Sequence, residues 1–561
     1  MPTYFPFRFA VKLAAEPQLA NVNREDNAKP NPATGRFILY EDAHLLVVNK
    51  PAGLNTHAPA PYAGEGLYDW LRHREPRWAD LSILHRLDKE TSGVLVFGKT
   101  TLANRSLAHQ FETHTIKKVY VFVTDRPVPV HPDTLDVVSG IARLGAKYVV
   151  RPPSPQAPRA ETRFRLLRHA PERTSLEAQP VTGRTHQIRV HASASGFPIL
   201  GDTLYEGTVW PRICLHAQAL TLAHPESQQP ITFAVDPDFE TDPRLLLRQL
   251  LIDGVETTAY RIIHGAADDE PHWYVDRLGD HLLTQSESKA EPPRLTTLLN
   301  TMGSQSVYHK HLDRQPGRVQ PAQASPKRSQ GIDAPDRFFV LENRMQFELS
   351  FQEGYSVGLF LDQRDNRRRF LTNHVAAGFP LFPQGPAGAE VLNTFAYTCT
   401  FSVCAAASGS RTLSLDLSRK YLSWGQRNFA HNKLDPNAHE FVYGDVFDWL
   451  KRFAKKQRRF DAIILDPPTF SQSKTSGVFR AESDYGKLLE LAAPLLKKNA
   501  TLLASTNAAG LTPEKFVALA QHTLGACRRP ILSQHYVPQP FDFPITRAEP
   551  GHLKTLWLRV G

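Results

Sequence analysis

Asp88 is the carboxylate on which the first half of the chain converges. It stands in His85-Arg86-Leu87-Asp88-Lys89-Glu90-Thr91-Ser92-Gly93, directly before the apolar run Val94-Leu95-Val96-Phe97. A carboxylate beside apolar strands costs several kcal/mol, roughly, unless a partner or a task holds it there. A lone Asp in such a place reads as a turn residue accepting backbone N–H groups. The nine-residue string is more specific than a turn requires.

A second dense stretch is Val181-Thr182-Gly183-Arg184-Thr185-His186-Gln187-Ile188-Arg189-Val190-His191. Ile188 and Val190 alternate with polar residues, so some polar side chains must point inward, where they need partners. A third set lies in the C-terminal part of the chain. Asp416, Asp445 and Asp466 follow Leu413-Ser414-Leu415, Tyr443-Gly444 and Ile463-Ile464-Leu465, and Pro467-Pro468 stiffen the last of these turns. Acids at successive strand ends mark the ligand crevice of a parallel α/β sheet, where a ribose is held by an acidic side chain.

These groups need elements to place them. Phe37-Ile38-Leu39-Tyr40-Glu41-Asp42 and the run from Leu45 to Lys50 read as a hairpin ended by Pro51 and Gly53. Thr115 to Phe122 reads as a strand carrying Tyr120, and 187–191 as the start of a helix. From residue 390 strands and helices alternate, with Glu390-Val391-Leu392-Asn393-Thr394-Phe395-Ala396 as the first strand. Short apolar strands broken by Gly/Asp turns between 257 and 280 suggest a small α+β unit.

The Asp88 string, the Asn49-Lys50-Pro51-Ala52-Gly53 loop and Gly183-Arg184-Thr185-His186-Gln187-Ile188-Arg189 together resemble the RluA family of pseudouridine synthases over roughly residues 37–235. The resemblance implies that Asp88 cuts the C1′–N1 bond of an extruded uridine and that the uracil rejoins through C5, with no cofactor. Whether the carboxylate attacks C1′ or removes a sugar proton stays open. Tyr120 is implied to stack on the base, Arg189 to pair with Asp88, and Leu215 to lie against the base. Arg86, Arg184, His186 and Gln187 are the expected RNA contacts. His216 has no second ligand at suitable spacing and reads as structural.

Gly358-Leu359-Phe360-Leu361-Asp362-Gln363-Arg364-Asp365-Asn366-Arg367 and Asp466-Pro467-Pro468-Thr469-Phe470-Ser471, with the acids above, resemble the RlmI/RlmK-type rRNA methyltransferases. This implies an S-adenosylmethionine site formed by Gln363, Arg364, Asn393, Phe395, Tyr397, Thr398, Asp416, Leu417, Ser418, Asp445, Asp466 and Pro467. Two departures stand out. Cys399 occupies the place of the family's loop glycine, which lets the backbone approach the cofactor; a side chain there is expected to narrow the site or move the loop. The run Leu503-Ala504-Ser505-Thr506-Asn507 lacks the cysteine that attacks cytosine C6 in RlmI-like enzymes, and Cys527 falls in a later helix. That favours guanine N7 over cytosine C5.

Composition agrees with a globular, RNA-directed protein: 41% hydrophobic, 22% charged, net charge +10, pI about 9.3. Four cysteines without CxxC or Cys/His spacing argue against a disulfide scaffold or zinc module, and no metal is expected. No signal peptide and no membrane span are read, so cytoplasmic location is the default.

The expected organisation is multidomain: an N-terminal arm at 1–36, an α+β synthase domain with a mixed or antiparallel sheet at 37–240, and a small α+β domain at 250–345. The last of these carries a flexible insertion at 314–335, and a Rossmann-like class I methyltransferase domain follows at 346–561. The expected function is bifunctional modification of RNA, with large-subunit rRNA as partner. Two alternatives stay open: a synthase whose second domain is catalytically silent, and a non-catalytic ribosome-assembly factor.

Overall fold

A computed structural model describes residues 37–561 except 129–133, 171, 288–292, 313–324, 355 and 474–476. The expected N-terminal arm and residues 314–324 of the expected insertion lie outside the described residues.

The first unit is built on an eleven-stranded sheet. Its main path runs Ile38–Glu41, Leu45–Lys50, Ser92–Gly98, Leu215–Ala223, Lys117–Thr124, Thr174–Pro180, Arg159–Arg168, Thr134–Leu144, Lys147–Arg151. Every residue of Leu45–Lys50 and of Ser92–Gly98 is buried, because both faces are covered. Leu46, Val48, Leu95 and Phe97 pack on the side of helix Leu67–Arg74, and Leu45, Val47, Val94 and Val96 on the side of helix Thr101–Glu112. Continuous apolar runs are what such two-sided burial demands.

Ser92–Gly98 and Leu215–Ala223 pair in parallel, Ala217 opposite Gly93. This contact needs glycine twice over. Gly93 has φ +116°, and a Cβ there would lie 2.2 Å from the Ala217 carbonyl oxygen.

Next comes a five-stranded sheet in sequence order, Ala259–His264, Trp273–Leu278, His281–Ser286, Ser306–His311 and Lys327–Gly331. The last strand corrects the reading of 314–335 as a flexible insertion. Its residues are polar and all exposed, which suggested a loop, yet their backbone pairs antiparallel with Ser306–His311 and closes that sheet edge. Backbone pairing needs no apolar side chain where both faces of a strand meet water.

The C-terminal sheet has the order Glu440–Tyr443, Arg411–Asp416, Glu390–Thr394, Phe460–Leu465, Leu496–Thr506, Lys554–Val560, Ile531–Val537. The first five strands are parallel and Lys554–Val560 is antiparallel to both neighbours. Cys527 follows helix Pro513–Ala526 as its C-cap and does not lie within it.

The first and last units pack together through helix Leu67–Arg74. The Arg72 carbonyl lies 2.8 Å from His374 Nε2, Arg368 pairs with Glu75, and Trp70 meets Phe541 at 5.4 Å between ring centres. No helix among the described residues is long and apolar enough to cross a membrane.

Candidate active sites

The Asp88 loop hangs between strand ends and is fastened from below. Lys50, fully buried, donates to the carbonyls of Pro51 (2.9 Å), Lys89 (3.1 Å) and Thr91 (2.9 Å). Gly53 N–H donates to the Lys89 carbonyl as well. Thr56 Oγ1 donates to the Leu87 carbonyl and accepts from Leu87 N–H. Burial pulls the Lys50 ammonium down to about 7, against the opposing charges of Glu90 and Asp88. The sequence signalled the Asn-Lys-Pro-Ala-Gly loop but not this role for Lys50.

Arg189 lies in helix Gln187–Ala194 and is buried. Its Nη1 stands 3.8 Å from Asp88 Oδ2. Its main partner, however, is Asp202, bound through Nε at 2.6 Å and Nη2 at 2.9 Å. The expected ion pair with Asp88 is thus present as the longer of two: Arg189 is held by a two-pronged bond to a fully buried carboxylate and presents its remaining amine to Asp88. Burial lowers the Arg189 pKa but Asp202 outweighs it, so the net direction is up. Nothing local in the sequence links Asp202 to Arg189, 13 residues before it.

His186 also approaches Asp88, Nε2 to Oδ2 3.9 Å. Its backbone is left-handed (φ +57°), and Nδ1 sits 2.8 Å from the Tyr205 hydroxyl. Burial is the main reason its pKa is lowered, with Asp88 opposing. Tyr120 is half-buried on Lys117–Thr124, flanked by Ala217 and Ala178 on the adjoining strands. Burial, then the Asp88 charge, raise its phenol pKa.

Arg86 and Arg184 are exposed at the rim. Arg86 borders an open cleft of about 570 Å³ lined also by His57, Tyr68 and Ile83. Gln187 is different. Its oxygen accepts from Thr182 and Arg184 N–H, and its amide donates to the Glu161 carbonyl and Thr162. With every group used inside the fold, Gln187 holds the turn and has nothing left for RNA. Leu215 is 3% exposed in a cluster with Phe122, Phe164 and Phe197, so it supports the pocket from behind. His216 is held by Ser92 (2.8 Å) and the Val235 carbonyl (3.0 Å).

In the C-terminal sheet the ends of Glu390–Thr394, Arg411–Asp416, Glu440–Tyr443 and Phe460–Leu465 lie side by side. The connecting loop after Thr394 is strained: Phe395, Tyr397 and Cys399 have φ +54°, +49° and +59°. Each such non-glycine residue costs roughly 1–2 kcal/mol, and strain of this kind gathers at ligand sites. Asp416 anchors the loop, accepting from Tyr397 N–H and Ser418 N–H, both at 2.8 Å; burial raises its pKa. Each of its oxygens keeps a lone pair for a ribose hydroxyl. Leu417 is exposed beside it, and Ser418 caps the following helix. Asp445 caps the helix after the third strand.

Asp466 is half-buried and Pro467 buried. Gln363 Nε2 donates to Asp466 Oδ2 (3.1 Å) and to Ser505 (2.9 Å). Burial, then Asp362, push the Asp466 carboxyl up to about 7. Three expected cofactor residues are committed elsewhere. Arg364 makes a two-pronged buried pair with Asp542 (2.8 and 2.6 Å). Asn393 donates to Ser402, and Thr398 donates to the Gly358 carbonyl. They shape the crevice from behind it.

The expected effect of Cys399 is corrected too. Its side chain is buried against helix Arg419–His431, where Gly425 leaves room: a Cβ on Gly425 would lie 2.3 Å from Sγ. The sulfur packs between helices instead of narrowing the crevice, and the helix glycine compensates for the loop cysteine. The strand-end crevice, the strained loop and Asp416 fit S-adenosylmethionine. Gly425→Ala should destabilise the protein by about 1–3 kcal/mol through this clash. Adding Cys399→Gly should reverse the loss, because Ala is the better helix former by about 1 kcal/mol. Urea unfolding of the two single variants and the double variant checks this; independent effects would refute the coupling.

The first fold and site define an RNA pseudouridine synthase domain, the second a Rossmann-like methyltransferase domain. Residues 44–194 match the family model of RNA pseudouridylate synthases and residues 294–556 that of S-adenosylmethionine-dependent methyltransferases. Over 320 residues the chain is 30% identical to YwbD of Bacillus subtilis (strain 168), named as a candidate ribosomal RNA large subunit methyltransferase. That match covers 56% of this chain and 77% of YwbD. Over 223 residues it is 36% identical to the dual-specificity RNA pseudouridine synthase RluA of Salmonella typhi, covering 38% of this chain and 99% of that one. Ribosomal large subunit pseudouridine synthase C of Vibrio vulnificus (strain CMCP6) is 35% identical over 209 residues, covering 35% of this chain and 64% of that protein, just under two thirds of its length. The chain therefore belongs to the pseudouridine synthase family in its N-terminal part and to the S-adenosylmethionine-dependent methyltransferase family in its C-terminal part.

Proposed function

We propose that the chain isomerises uridine to pseudouridine and methylates a base, in both cases on large-subunit rRNA. The observation that carries the first activity is the set around Asp88: a carboxylate on a loop tied down by Lys50, with Arg189 and His186 within 4 Å and Tyr120 on the adjoining strand. Arg189 sets a positive charge beside a carboxylate that acts as nucleophile at C1′ or as base towards a sugar proton. Tyr120 supplies a face for an extruded base, a contact contributing roughly 1–3 kcal/mol. Arg86 and Arg184 meet the phosphates.

For the second activity, Asp416 holds the cofactor ribose, the loop 395–399 lies against the cofactor, and Asp466 with Gln363 closes the end where the base enters. S-adenosylmethionine supplies the electrophilic methyl group. RlmK-like transfer to guanine N7 is the finer assignment. N7 is already nucleophilic and needs orientation more than activation. The sheet carries no cysteine suited to attack: Cys399 is buried with its thiol pushed up to about 12, and Cys404 is buried with its thiol pKa raised. Nucleoside mass spectrometry of rRNA with and without the gene tests both activities. Loss of one pseudouridine and one N7-methylguanosine is expected. An unchanged pseudouridine content would overturn the first assignment, and loss of 5-methylcytidine the finer second one.

The raised carboxyl of Asp466 has a pH consequence. Ionising it in the folded protein is unfavourable, so its stability cost is absent well below the usual carboxylate pKa of 3.8, where both states are protonated, and grows as pH rises to about 7. Asp466→Asn should match wild type at about pH 2.5 and exceed it at pH 8 by no more than about 4 kcal/mol. Urea midpoints at the two pH values check the sign.

A further inference from the structure

The surface where the two catalytic units meet holds a cluster that neither reaction uses. Glu65 precedes helix Leu67–Arg74 of the synthase domain and His73 lies in its last turn, and His535 lies on strand Ile531–Val537 of the methyltransferase sheet. One ligand atom from each residue can be chosen so that all three lie within 4.8 Å of one another. Glu65 Oε1 is 2.6 Å from His73 Nδ1, and the two imidazole rings meet at 4.2 Å, inclined by 64°.

His535 is the informative member. Its Nε2 is buried and has no hydrogen-bond partner among the described residues. A buried imidazole nitrogen without a partner forfeits about 1–3 kcal/mol, so it needs an explanation of its own. An imidazole nitrogen left without a hydrogen-bond partner can offer its lone pair to a metal ion. The nearby cation Arg369 is tied to the carbonyls of Val375 and Asp365, and Glu65 supplies a balancing negative charge.

We propose that Glu65, His73 and His535 bind a zinc-type divalent metal ion that staples the synthase domain to the methyltransferase domain. Two imidazoles and one carboxylate are a recognised zinc ligand set, with water filling the fourth position. Glu65 and His73, now 2.6 Å apart, exchange their mutual hydrogen bond for bonds to the metal. The site rests on side chains from opposite ends of the chain, so it exists only when the two domains are docked.

Calorimetric titration of the full, metal-stripped chain with zinc chloride tests this. One site per chain is expected that weakens at least about a hundredfold in His535→Ala and in Glu65→Gln. Zinc should raise the melting temperature of wild type and leave that of either variant unchanged. Glu65→Gln keeps the side-chain volume and serves if His535→Ala does not fold. Equal zinc stoichiometry and affinity in wild type and both variants would overturn the proposal, because the binding would then belong to other histidines on the surface.

Discussion

Asp88→Asn should abolish pseudouridine formation, with a loss of at least about 10³-fold, while the protein folds and binds RNA almost as wild type does. The reasoning is geometric. Asp88 is half-buried and stands 3.8 Å from Arg189 and 3.9 Å from His186, too far for strong hydrogen bonds. Its loop is held by Lys50, Gly53 and Thr56 through backbone carbonyls that the substitution leaves in place. Asparagine keeps the volume but cannot act as a nucleophile or base, and losses of this order or more follow removal of such a group. Mass-spectrometric quantification of pseudouridine in a transcript treated with each protein, beside filter binding of the same RNA, gives both halves of the result. Wild-type-like conversion by the variant would remove Asp88 from the reaction. Equal loss of RNA binding would make its role structural.

Asp202→Ala should be among the most destabilising single changes in the synthase domain, by about 3–5 kcal/mol. Asp202 is fully buried and holds Arg189 through two short bonds. Its removal leaves a buried guanidinium facing Asp88 alone. Two effects follow: the fold loses a satisfied ion pair, and Arg189 is free to swing onto Asp88 and block it. Isomerisation should fall even in the fraction that folds. Urea unfolding followed by fluorescence measures the first effect, and turnover per folded molecule the second. The double variant Asp202→Ala/Arg189→Met should recover much of the stability but not the activity, since removing both charges ends the desolvation cost while losing the group that faces Asp88.

Most of the architecture was legible in the residues. Leu45–Lys50, Ser92–Gly98 and Lys117–Thr124 are short apolar runs bounded by turns, and alternation of strand and helix after residue 390 marks a parallel sheet. These signals are local, and the burial they predict is what the sheets provide. Lys327–Gly331 escaped because an edge strand exposed on both faces carries no apolar pattern.

The sites divide in the same way. Sequence by itself determined the two families, the loop that carries Asp88, the helix that carries Arg189 and the acids at the strand ends. Each of these is written in consecutive residues. The tertiary structure decided how those residues spend their bonds: Arg189 on Asp202, Arg364 on Asp542, Gln187 on its own turn, and Lys50 on three carbonyls beneath Asp88. It also decided that Cys399 lies harmlessly against Gly425, and that His535 meets Glu65 and His73. A hydrogen bond or a steric fit belongs to a pair, and the deciding partners stand apart in the chain, by 13 residues for Arg189 and Asp202 and 178 for Arg364 and Asp542, where no local pattern links them.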